Sequence, residues 1–156
     1  MRIQWKKLLA AIAIPEGVGV LSALLTKKGM ERFLTLRQPP LSPPRWVFPA
    51  VWTVLFLMMG VASYLVSVAG EGRGRDRRAL TFYGLQLGAN FLWTILFFSF
   101  GRHLLALIWL VVLWALILYT MRLFWRISRP AGALLIPYAL WVTFAGYLNC
   151  GVWLLY

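Results

Sequence analysis

Acidic side chains are almost missing from this chain, which has four Asp and Glu against sixteen Lys and Arg in 156 residues. Cysteine and histidine occur once each, as Cys150 and His103. One cysteine makes no intrachain disulfide framework and no CxxC metal site. One histidine and so few acids leave no Ser–His–acid set, no metal-ligating cluster and no phosphate-binding loop, so nothing in the sequence calls for a metal or another cofactor. Cys150 lies in an apolar run and reads as a small buried hydrophobe. His103 lies at a turn between two apolar runs and reads as an interfacial residue. Charge of either sign is also scarce, at 13% of residues, while 62% are hydrophobic and the mean hydropathy is +0.77. A soluble domain of this length needs more polar surface than that. The class is therefore an all-α integral membrane protein.

The net charge of +12 falls in short gaps between apolar runs. That placement suits membrane flanks, and no nucleic-acid-binding motif accompanies it. The apolar runs predict five spanning helices, at about 8–26, 46–68, 80–100, 104–125 and 131–155. The whole chain, 1–156, reads as a single membrane domain with a long first connection at about 27–45 and no internal repeat. The start "MRIQWKK" has the charge of a signal-peptide n-region, but Pro15 and Glu16 interrupt the run behind it and no A-x-A site follows. It is expected to remain as the first span. Backbone polar groups in lipid must be satisfied internally, so the five spans form a bundle. Ten Lys and Arg flank one side of these spans and six the other. The positive-inside rule then puts the N-terminus in the cytoplasm, and the first loop and C-terminus outside.

Three spans each present a tryptophan on a definable face. In the third, Gln86, Asn90, Trp93 and Phe97 recur at helical spacing. Their amides predict that this face points into the bundle. Gly84 and Gly88 form G-x-x-x-G on the opposite face, where they meet either another protomer's third span, giving a homodimer, or a neighbour within the bundle. The second span offers Trp52, Phe56 and Met59, and the fifth offers Pro137, Trp141, Ala145 and Leu148 or Asn149. Interfacial belts account for Trp5, Trp46, Trp125, Trp153 and Tyr156. Trp52, Trp93 and Trp141 lie deeper, where core packing and the lining of a pocket for a large planar ligand are both open. Glu16 is a carboxylate inside a span, and such an acid is a functional candidate.

The stretches "PPLSPPRWVFPAVWTVLFLMMGVASYLV", "GLQLGANFLWTILFF" and "LIPYALWVTFAGYLNCGVW" resemble the TspO/MBR family, the tryptophan-rich sensory proteins, whose mitochondrial relative is the translocator protein or peripheral benzodiazepine receptor. The resemblance runs from about Pro15 to Trp153. It implies a five-helix bundle, often dimeric, with a pocket capped by the first loop. It implies porphyrins such as protoporphyrin IX, cholesterol-like lipids, isoquinoline carboxamides and benzodiazepines as ligands. By position it assigns Trp52 and Trp141 to porphyrin binding and light-dependent porphyrin degradation, and Asn90, Trp93, Ala145 and Leu148 to the pocket. The helix faces add Phe56 and Phe97 to the expected lining. The family's sterol motif is broken, because Leu148-Asn149 is followed by Cys150 and no basic residue comes after it. A first-loop tryptophan of animal members is replaced by Leu41. Three readings follow: a membrane receptor or sensor, a light- and oxygen-dependent porphyrin-degrading enzyme, and a porphyrin or lipid transporter. Pro43 and Pro44 are expected to stiffen the first loop into a lid joined to the helix of Trp52.

Overall fold

A computed structural model describes residues 3–35, 44, 46–70 and 75–155. The helices are α1 (Trp5–Leu25), α2 (Lys27–Thr35), α3 (Val47–Ala69), α4 (Arg75–Thr94), α5 (His103–Ile127), α6 (Arg129–Leu134) and α7 (Ile136–Leu155), with a π-helical stretch, Ile95–Ser99, closing α4. Five stretches are long and apolar enough to cross a bilayer: Trp5–Leu25, Val47–Ala69, Asp76–Ser99, His103–Ile127 and Arg129–Leu155. The five-helix membrane bundle expected from the apolar runs is the architecture found.

Packing follows the small residues. Helix α1 lies chiefly on α3, α4 on α5, and α5 on α7. At the α1–α3 crossing, a Cβ on Gly60 would sit 2.6 Å from Ile12 Cα, so the missing side chain sets how near the backbones come. Met59, Ala62, Val66, Leu113, Ile117, Phe124 and Tyr138 are buried at the centre of the bundle.

Three elements depart from the expected boundaries, each for a local reason. Residues 27–35 of the expected loop are helical. Lys27, Lys28, Glu31 and Arg32 are exposed, while Met30 and Phe33, three apart, pack toward the bundle. That is one turn of an amphipathic helix, hidden in the sequence by its charge density. A Cβ on Gly29 would overlap the Phe98 carbonyl, so glycine lets α2 lie directly on the π stretch. The end of the third span loosens to i−5 pairing, with Phe100 N donating to Ile95 O at 3.1 Å. It stops at Gly101, whose φ of 63° is the left-handed geometry that glycine tolerates. The extra residue per turn buries the neighbours Phe97 and Phe98 together. The expected span 131–155 is broken, because Pro137 has no N–H to continue the ladder and Leu135 N turns to Gly132 O at 3.1 Å. Ser128 caps the short α6, its hydroxyl accepting from Ala131 N.

Phe33 anchors α2. Its ring packs edge-on at 5.2 Å against both Phe97 and Phe98. Phe33→Ala is expected to destabilise the docked α2 by about 3 kcal/mol. Hydrogen exchange should then rise across 27–35 and stay unchanged in α5. Equal protection of α2 in both proteins would show that this anchor does not hold it.

Candidate functional site

A cavity of about 400 Å³ lies between α1, α2, α3 and the end of α4. Phe48, Trp52, Phe56, Trp93 and Phe98 supply aromatic wall. Phe48, Trp52 and Phe56 recur every four residues on one face of α3, and the Trp52 and Phe56 rings stack at 5.5 Å. On the facing side Trp93 stacks on Phe97 at 5.4 Å. Helix α1 contributes Glu16, Gly19, Val20, Ser22 and Ala23, and Thr26 follows at its C-cap. A Cβ on Gly19 would lie 2.8 Å from the Phe56 ring, so glycine there admits the aromatic wall. Lys27, Met30 and Glu31 of α2 close one end.

Two hydrogen-bond chains hold the polar members of the α4 face. Gln86 Nε2 donates to the Tyr83 carbonyl at 2.9 Å, Tyr138 O–H donates to Gln86 Oε1 at 2.7 Å, and Asn90 Nδ2 donates to Tyr138 Oη at 2.8 Å. A backbone carbonyl only accepts, so it orients every group in the chain above it. Asn90 therefore spends one amide N–H on Tyr138 and keeps its carbonyl oxygen and second N–H for another partner. In the second chain Trp93 Nε1 donates to Asn149 Oδ1 at 3.1 Å, and Asn149 Nδ2 donates to the His103 carbonyl at 2.8 Å. All five side chains are buried. The face expected to point into the bundle does so, and α7 answers it with Tyr138 and Asn149.

The structure separates the expected site residues into two groups. Trp52, Phe56, Asn90 and Trp93 line the cavity. Phe97, Ala145 and Leu148 are buried in packed contacts behind it. Trp141 packs edge-on to Trp52 at 6.4 Å and to Phe48 at 6.1 Å, but it lines an outer groove with Pro137, Leu140 and Phe144. Trp52 and Phe48 thus stand between Trp141 and the cavity. Pro43 lies outside the described residues. Pro44 is exposed, and its carbonyl accepts from Val47 N at the start of α3. Gly84 and Gly88 lie on the outer face of α4 with nothing within 4 Å of where a Cβ would stand. Among the described residues no neighbour within the bundle uses them.

Several lining residues were not foreseen. Phe48 precedes Trp52 by one helical turn and was legible from that spacing. Phe98 was not, because its place in the wall depends on the π stretch, whose wider turn shifts it from its α-helical position. Glu16 was a candidate, but its place in the cavity wall needed the fold. Its Oε1 is buried with no hydrogen-bond partner.

These features define a multi-pass helical membrane protein with an aromatic cavity in the membrane-spanning region. The TspO/MBR family model matches residues 11–154. The chain is 38% identical over 150 residues to the tryptophan-rich protein TspO of Chlorobaculum tepidum, covering 96% of this chain and 95% of that one. It is 38% identical over 149 residues to the tryptophan-rich sensory protein of Cereibacter sphaeroides, covering 96% and 90%. It is 32% identical over 151 residues to the translocator protein of Bos taurus, covering 96% and 89%. The chain belongs to the TspO/MBR family.

Proposed function

We propose that the protein is a membrane receptor or sensor that binds a porphyrin, with protoporphyrin IX as the reference ligand, or a similarly planar hydrophobic molecule. The aromatic cavity of about 400 Å³ carries this reading. Its size is that of a small-molecule site, and stacked rings suit a flat apolar guest. Trp52, Phe56, Asn90 and Trp93 would contact the ligand, while Phe97, Trp141, Ala145 and Leu148 shape the walls behind them. Helix α2, docked through Phe33, covers one end, and the loop with Pro43 and Pro44 joins it to α3. The N-terminus is taken as cytoplasmic, with this cover and the C-terminus on the other side. A homodimer through the Gly84–Gly88 face and contact with membrane lipid belong to the same reading.

Binding is favoured over light-dependent degradation shared by Trp52 and Trp141. Of that pair, Trp52 alone lines the cavity, and Trp141 is screened from it.

Quenching of tryptophan fluorescence by protoporphyrin IX in the dark, followed by illumination and product analysis, tests these readings. Saturable quenching is expected, with an affinity about tenfold weaker in Trp52→Ala, as for a lost aromatic anchor. Non-saturable quenching in the wild type would remove porphyrin as the ligand. A photoproduct formed by wild type and lost in Trp52→Phe/Trp141→Phe would favour the enzyme.

A further inference from the structure

Donors in the cavity wall are largely committed elsewhere. Ser22 Oγ donates to Val18 O at 2.8 Å, Thr26 Oγ1 to Ser22 O at 2.7 Å, Thr53 Oγ1 to Pro49 O at 2.7 Å and Thr94 Oγ1 to Asn90 O at 2.9 Å. Each hydroxyl is spent on the carbonyl one turn back in its own chain. The Trp93 indole N–H is spent on Asn149. What remains open includes the Glu16 carboxylate and the Asn90 carbonyl oxygen left over by the chain through Tyr138. Among the described residues, Trp52 N–H, the second N–H of the Asn90 amide and the rim ammonium of Lys27 are the open donors in the lining. Lys27 and Glu31, four residues apart on α2, place one charge of each sign at the rim. Glu16 stands on α1 and Lys27 starts α2 beyond the turn at Thr26, and Glu16 Oε1 has no partner among the described residues. Glu16 is half-buried as a residue, but its Oε1 is fully buried and unmatched, and a buried acceptor without a donor is costly to the empty protein. A guest that brings a donor removes that cost.

We propose that Glu16 is the polar recognition point of this cavity, receiving an N–H donor, ammonium or pyrrole-type, from an otherwise planar apolar ligand. This rests on the cavity being a planar-ligand site and adds the ligand's polar chemistry to it. The cavity then discriminates among flat molecules of equal size by whether they carry a donor where Glu16 can accept it. Charge-assisted bonds of this kind are the strong ones in a low-dielectric site.

The test uses full-length protein in lipid nanodiscs and two probes of one shape, 1-pyrenemethylamine and 1-methylpyrene. Energy transfer from tryptophan to pyrene is titrated and corrected for partition into protein-free discs. In the wild type the amine is expected to bind about tenfold tighter than the methyl probe, the scale of one charge-assisted hydrogen bond. Glu16→Gln is expected to erase that preference, so that the two probes bind alike, and saturable transfer to 1-methylpyrene shows that the variant is folded. Should Glu16→Gln lose both probes, Glu16→Asp decides. A retained amine preference there supports the role of the carboxylate, and its loss overturns it. An amine preference equal in wild type and Glu16→Gln overturns the inference while the planar-ligand reading stands. Absence of saturable transfer from either probe in the wild type overturns both.

Discussion

Gly60→Leu is expected to weaken ligand quenching by roughly tenfold to a hundredfold, on the scale of the one to three kcal/mol that overpacking costs. The reason is geometric. The Cβ would lie 2.6 Å from Ile12 Cα and 2.9 Å from the Ala11 carbonyl, and both are backbone atoms that cannot rotate away. One of the two helices must move. Helix α3 is held by a broad buried face from Leu55 to Val66, whereas α1 buries only Pro15 and Ser22. So α1 shifts, and it carries Glu16, Gly19 and Val20 out of the cavity wall. The matched control is Gly84→Leu on the outer face of α4, where nothing lies within 4 Å. It should leave affinity unchanged and, if protomers pair through that face, raise the monomer fraction in crosslinking. A Gly60→Leu protein that binds as the wild type does would show that the α1–α3 spacing does not shape the site.

Tyr138→Phe is expected to lower unfolding free energy by about 2 kcal/mol while keeping the ring packing. The deleted hydroxyl is the middle of a chain. Asn90 Nδ2 loses its acceptor and Gln86 Oε1 loses its donor. Interhelical hydrogen bonds in membranes average about 0.6 kcal/mol, because the unfolded helices find other partners. The larger figure applies here because two groups are stranded and both residues are at most 2% exposed, so neither reaches water. Unfolding in mixed detergent measures it. A loss below about 0.6 kcal/mol, the membrane average, would mean the stranded groups find new partners and the chain does not orient Asn90.

Both substitutions act where sequence reading and structure meet. The spacing of Gln86, Asn90, Trp93 and Phe97 announced an inward face, since amides in hydrocarbon seek partners. It did not announce the partners. Tyr138 and Asn149 lie about fifty residues downstream, and their choice of donor and acceptor depends on how α7 is rotated against α4. Trp52 and Trp141 looked equivalent as deep tryptophans on definable faces. Only their packing shows that Trp52 turns its ring to the cavity while Trp141 stands behind it. The first connection read as a charged, proline-bearing loop, yet Met30 and Phe33 make nearly half of it a docked helix. A three-residue apolar spacing is too short a signal until Phe97 and Phe98 are there to receive it.

By itself the sequence determined that the chain crosses the membrane five times as helices. Apolar length and the need to satisfy backbone groups within each span leave no other arrangement. It also carried the motifs that place the chain in the TspO/MBR family. The tertiary structure decided which aromatic rings share a cavity, where α1 closes it through Gly60, and that Glu16 faces into it with an unmatched oxygen. These outcomes depend on helix rotation and on contacts between distant segments. Periodicity along one helix shows which residues share a face, but another helix must arrive before that face has anything to meet.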